Sequence, residues 1–192
     1  MTEPWDLPGV HVRVERRDLP ADTTGQRLFA VWHRLRDRAG GLPLWIDTEA
    51  LDVPEALPGM ILAVPDGGRP LPGSFRAAQV GGEVRRIWGE DFTGQIMRST
   101  VFPEMSDALI CGMRTALKQG QPVAAEYRVQ IAYRISYLHI AFLPFLGQVG
   151  RQKRVLVYLN FSNITVRDAK DWRTTLSTQA RIQRLLDDAP VD

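Results

Sequence analysis

The sequence predicts an α+β fold: an antiparallel sheet with short helices laid against it, and helical extensions at both ends. Three observations carry this. Residues 123–161 read as three successive strands joined by turns. Residues 103–119, immediately before them, carry a helical apolar stripe. Residues 60–80 hold two apolar runs around Pro65-Asp66-Gly67-Gly68, which is turn chemistry.

The totals bound the problem. At 192 residues the chain is one domain with extensions, or at most two small ones, long enough to bury a core without staples. Hydrophobic residues make up 44% and charged residues 24%, as in an ordinary globular protein. The net charge of +2 exerts no general pull toward nucleic acid or anionic lipid, and the basic residues are mostly Arg. A single cysteine, Cys111, permits no intrachain disulfide and fits a reducing compartment. Met1-Thr2-Glu3-Pro4-Trp5-Asp6 lacks the basic segment and apolar run of a secretion signal. The apolar runs fall short of the roughly 20 residues a membrane helix needs. A cytoplasmic protein with no membrane or nucleic-acid partner is expected.

Taken in order, Val10, Val12 and Val14 alternate with polar residues, which leaves a short edge strand and an extended arm both open. Thr23-Thr24-Gly25-Gln26 matches a capping box with Thr23 as N-cap and Gln26 three places on. Leu28, Val31, Trp32, Leu35 and Ala39 then share one helical face, ended by Gly40-Gly41 and Pro43. That stripe either packs on its own domain or offers a dimer contact through Leu28, Val31, Trp32 and Leu35. Residues 42–58 form a linker carrying Asp47, Glu49, Asp52 and Glu55, whose spacing matches no calcium loop. Residues 60–64 and 74–80 make the hairpin, and Gly81-Gly82 opens a short helix with Val84, Ile87 and Trp88 inward. In the loop after it, Asp91 and Thr93 bond nearby backbone amides. Residues 95–102 read as one more short helical turn.

Pro103 suits the first turn of the longer helix, which buries Met105, Ala108, Leu109, Gly112, Met113, Ala116 and Leu117 and stops at Gly120. From Val123 the alternation is clean: Val123, Ala125, Tyr127, Val129, Ile131 and Tyr133 share one face. Residues 135–145 are apolar on both faces and so belong deep in the sheet. Pro144 cannot donate to a ladder, so pairing should end or bulge near it. A Gly-punctuated turn at 147–153 leads to a third apolar strand ending at Phe161. Beyond it Ala169, Trp172, Leu176 and Leu186 fit a helical seam that Gln179 and Gln183 interrupt. That pattern reads as a helix docked on the domain or on a partner.

This order of elements resembles the PAS sensor family, and within it a bacterial subgroup of short stand-alone PAS proteins. The matching features are the helix with Trp32, Gly41-Leu42-Pro43, Ile46-Asp47, Leu57-Pro58, and Phe75-Arg76 leading to Val80-Gly81. They continue with Gly89, Asp91, Thr93 and Gly94, and end at Asn163-Ile164-Thr165. Two positions depart: Leu44-Trp45 stands where the subgroup tends to carry a basic residue, and Asn163 where signalling PAS domains carry an acid. The resemblance implies a five-stranded antiparallel sheet with helices on one face. It divides the chain into an N-terminal arm (1–24), the PAS-like domain with its N-terminal helix (25–165) and a C-terminal helical tail (166–192).

The family's cofactor chemistries find no matching residues. A flavin photosensor places a reactive Cys beside the ring on an early helix, whereas Cys111 sits in the later apolar helix and reads as a small buried hydrophobe. Haem-binding PAS domains use a His on the longer helix, and residues 103–119 contain none. His11, His33 and His139 form no metal-ligand spacing, and neither a nucleophile elbow nor a phosphate loop is present. The expectation is a non-catalytic module with no cofactor and no metal. It would bind a small apolar or amphipathic ligand, or a protein partner or second copy of itself. A ligand would lie between the longer helix and the sheet, with Trp88, Met97, Met105, Leu109, Met113, Tyr127 and Tyr137 as lining candidates. The alternative is a ligand-free dimerisation or scaffold module whose core these side chains fill.

Overall fold

A computed structural model describes residues 10–45, 52–66, 74–97, 103–131, 134–147 and 152–161. Six strands form one antiparallel sheet: β1 (Val10–Arg17), β2 (Met60–Pro65), β3 (Phe75–Val80), β4 (Val123–Ile131), β5 (Arg134–Leu146) and β6 (Lys153–Asn160). Their order across the sheet is β1-β4-β5-β6-β2-β3. The helices are α1 (Thr23–Ala39), α2 (Gly82–Trp88) and α3 (Pro103–Gln119), with a 3-10 helix at Pro54–Gly59. The C-terminal tail expected at 166–192 and the Asn163-Ile164-Thr165 motif lie outside the described residues, as do Ile46-Asp47, Glu49 and positions 98–102 of the helical turn expected at 95–102.

The sheet has one strand more than the resemblance implies. Of the two readings left open for the first residues, the edge strand is the one realised. β1 pairs with β4 over its full length, from Val10 opposite Ile131 to Arg17 opposite Ala124. Glu15, Arg16 and Arg17 at its end are the kind of charge that discourages further strand addition. At the opposite edge, residues 94–96 cover β3: the Ala77 amide donates to Gln95 O and the Gly94 amide to Ala77 O.

Strand pleating divides the core in two. On the front face, Leu138, Ile140 and Phe142 of β5 and Val155, Val157 and Leu159 of β6 meet α2 and α3. On the back face, the intervening Ala141, Leu143 and Phe145, with Leu156 and Tyr158, meet α1. The run at 135–145 is apolar on both sides because β5 lies inside the sheet and is roofed on both faces.

Three local expectations need correction. The α1 N-cap is Asp22, not Thr23: Asp22 is extended, and its Oδ1 accepts from the Gly25 amide at 2.8 Å. Asp competes well for that place, and Gln26 instead donates to Pro20 O. Pro144 does not end pairing, since β5 stays in register with β6 from His139 opposite Asn160 to Leu146 opposite Lys153. The reason is on the other side of β5. There β4 begins only at Val123, opposite Phe142, so the missing Pro144 N–H points to a side with no ladder. Pro144 O, on that same side, accepts from Trp32 Nε1 at 2.7 Å. Cys111 is exposed rather than buried, because the inward stripe of α3 runs through Leu109, Met113 and Ala116. Leu28, Val31, Trp32 and Leu35, the stripe that offered a dimer contact, turn inward. All four are buried against the sheet of their own chain, Leu28 and Trp32 completely.

Candidate functional site

Two regions compete as the site. The first is the layer between α3 and the sheet. Trp88, Met97, Leu109, Met113 and Tyr127 all gather there in the front core. The side chain of Met105 lies outside those described. Tyr137 is not a member of this set: it is opposite Arg128 on β4, pleats to the back face and is 39% exposed. Its neighbour Leu138 takes the front position, and a one-residue step along a strand reverses the face.

α3 sits tightly on this layer. A Cβ at Gly112 would stand 2.4 Å from Phe142 Cζ and 2.5 Å from Cε2, so only glycine lets the helix lie directly on the ring. The Tyr127 hydroxyl beside it is buried and makes no hydrogen bond among the described residues. Burial, followed by the nearby Cys111, pushes that phenol well above the ordinary tyrosine range. Tyr158 on the back face is raised as well, first by burial and then by Asp22, whose Oδ1 accepts from its hydroxyl at 3.2 Å.

Both folded phenols hold their protons more tightly than the unfolded chain does. Their contribution to stability is therefore full below about pH 10, the unfolded value, and is lost as pH rises beyond it. Alkaline titration followed by phenolate absorbance should show Tyr127 and Tyr158 ionising only as the protein unfolds. Tyr127→Phe removes a buried, unbonded hydroxyl and is expected to raise stability by about 1 kcal/mol. It should also move alkaline unfolding to higher pH. A loss of stability instead would mean that the hydroxyl has a partner in solution.

The second region is a cavity of about 760 Å³ at the β2–β3 end of the sheet. Its floor is Met60 and Leu62 of β2 and Leu156 of β6, all on the back face. Val53, Pro54 and Leu57 of the 3-10 segment, with Trp45, supply more apolar wall. The Trp45 ring is held edge-on to Phe145 at 5.6 Å between centroids. Gly81 passes close to the 3-10 helix, where a Cβ would lie 2.3 Å from Pro58 O, and its amide donates to Met60 O. This closeness joins the end of β3 to the start of β2. Among the described lining residues Asp52, Gln79 and Thr93 carry polar side chains, beside the indole of Trp45.

Thr93 is already committed as a donor. Its hydroxyl donates to Asp91 Oδ1 at 2.6 Å and its amide to the same oxygen at 2.9 Å. These two bonds, and then Arg85 at 3.1 Å, hold the Asp91 carboxyl below the usual carboxylate range.

The sequence reading missed this cavity although it singled out Leu44-Trp45, Leu57-Pro58 and Val80-Gly81 as features. A signal was present in β2. Ile61 and Leu62 are both apolar, so the strand needs cover on both faces. Leu57 remains 61% exposed beside a floor it does not cover. Among the described residues no three His, Cys, Asp or Glu side chains gather as metal ligands. No helix among them is long and apolar enough to cross a membrane.

No protein-family model matches the chain, and no curated protein matches it. Among solved structures, that of an RNA-binding light-oxygen-voltage receptor is similar, with 16% identity and a TM-score of 0.37. The match covers 95% of this chain and 46% of that one, so this chain spans less than half of the receptor's length. A likeness this distant bears on neither fold nor function. The sheet order and helix layout do bear on the fold. β3-β2-β6-β5-β4 is a five-stranded antiparallel unit with α2 and α3 on its front face, to which β1 adds a sixth strand. The architecture is PAS-like.

Proposed function

We propose that this chain is a non-catalytic sensor or adaptor module that holds a small apolar or amphipathic ligand and passes its state on through protein contacts. The observation that supports it is the back-face cavity. At about 760 Å³ it falls in the range of small-molecule sites, with a mostly apolar lining and a few convergent polar groups. Its walls come from β2, β3, β6 and the 3-10 segment, so an occupant touches elements that pack on both α1 and α2. A ligand acts as a signal only by preferring one arrangement of these elements over another. The net charge of +2 keeps nucleic acid outside the proposed partners.

The second reading, a ligand-free scaffold, draws on the tight seat of α3 at Gly112. Native mass spectrometry and thermal shifts across a panel of apolar and amphipathic small molecules separate the two. Binding should raise the melting temperature with ligand concentration. Leu57→Trp, at an exposed wall position, should remove the shift without unfolding the protein. An unresponsive melting temperature across the panel leaves the scaffold reading.

A further inference from the structure

We propose that the back-face cavity selects an amphiphile with a cationic, hydrogen-bond-donating head, a primary alkylamine being the simplest, and rejects carboxylates. This deepens the ligand-binding reading and rests on it. Three observations converge. First, the described lining holds one charged group, the Asp52 carboxylate, and neither Lys nor Arg.

Second, Arg27, Arg85 and Arg76, among the described cations, are occupied elsewhere. Arg27 pairs with Glu55 and donates to the Asp52 carbonyl rather than its carboxylate. Arg85 pairs with Asp91, and Arg76 with Asp66 and Gly94 O. Among the described residues the Asp52 carboxylate itself has no ion pair. An anionic head would therefore meet a like charge with no counterion, whereas an ammonium would meet an opposite one.

Third, Thr93 spends its hydroxyl proton on Asp91, so toward the cavity it has only lone pairs to give. Asp52 and Thr93 are both acceptors, and the Gln79 amide serves as either. An ammonium brings three donors and no acceptor, which suits this set; a carboxylate brings acceptors alone. The apolar floor of Met60, Leu62 and Leu156 takes the alkyl tail.

Isothermal titration calorimetry of the full chain with 1-octylamine, 1-octanol and octanoate at neutral pH tests this. The order of affinity expected is amine, then alcohol, then carboxylate, with at least tenfold between the first and last. Asp52→Asn should bring the amine down toward the alcohol's affinity. Asn is the apt substitution because Asp52 has a φ of 40°, a left-handed conformation that Asn also adopts readily. Octanoate binding as tightly as octylamine overturns the head-group assignment while the cavity stands as a ligand site. So does an amine no tighter than the alcohol, or one indifferent to Asp52→Asn. If none of the three binds, the ligand-binding reading itself fails.

Discussion

Replacing Trp32 by alanine is expected to destabilise the protein by about 3–5 kcal/mol, read as a lower denaturation midpoint. The indole is completely buried between α1 and the sheet, so truncation leaves a large void in the back core. Its Nε1 is also the donor to Pro144 O at 2.7 Å, and removing it leaves a buried carbonyl unsatisfied. Arg36, whose guanidinium lies 5.7 Å from the ring centroid, loses a cation–π partner as well. A loss of this size is a large fraction of a typical domain's stability. Trp32→Phe separates the parts: it keeps an aromatic ring but not the N–H, and should cost about 1–3 kcal/mol. A Trp32→Ala protein with wild-type stability and half the native mass would restore the dimer-contact reading that burial argues against.

Gly112→Ala is the second variant with a large expected effect. In an exposed helix this change helps by up to about 1 kcal/mol. Here the new methyl meets Phe142 Cζ, Cε2 and Cε1 at 2.4, 2.5 and 2.9 Å, and Phe142 is fully buried, so the ring has little room to yield. Overpacking of a close-packed core costs about 1–3 kcal/mol, which outweighs the helix gain. The net expectation is destabilisation, with part of it recovered when Phe142→Leu is added, because the two sites share one contact. Denaturant unfolding of the two single variants and the double variant measures that coupling. Additive losses would show that α3 is not seated on Phe142.

Much of the scaffold was legible because it is written in local periodicity. The three strands of 123–161, the hairpin of 60–80 and α1, α2 and α3 emerge from spacing and turn residues alone. The N-cap was misplaced by one residue because Asp22, Thr23 and Thr24 all carry capping side chains, and only backbone geometry chooses among them. The site was far less legible. Its lining comes from segments more than a hundred residues apart, Trp45 and Leu156 among them, and no local pattern brings those together. Tyr137 was misassigned because residues 135–145 are apolar on both sides, which hides the parity that a one-sided strand reveals.

Alternation along the chain determined which residues are strand, which are helix and which face of each is apolar, since these depend on periods of two and 3.6 residues. Tertiary pairing decided what those faces meet. It joined β1 to the sheet, laid the Trp32 stripe on the back core, let Pro144 stay in the ladder, and placed a cavity behind β2. The physical reason is that side-chain burial, strand adjacency and cavity volume are properties of how surfaces fit together, and a surface's partner is not encoded in its own spacing.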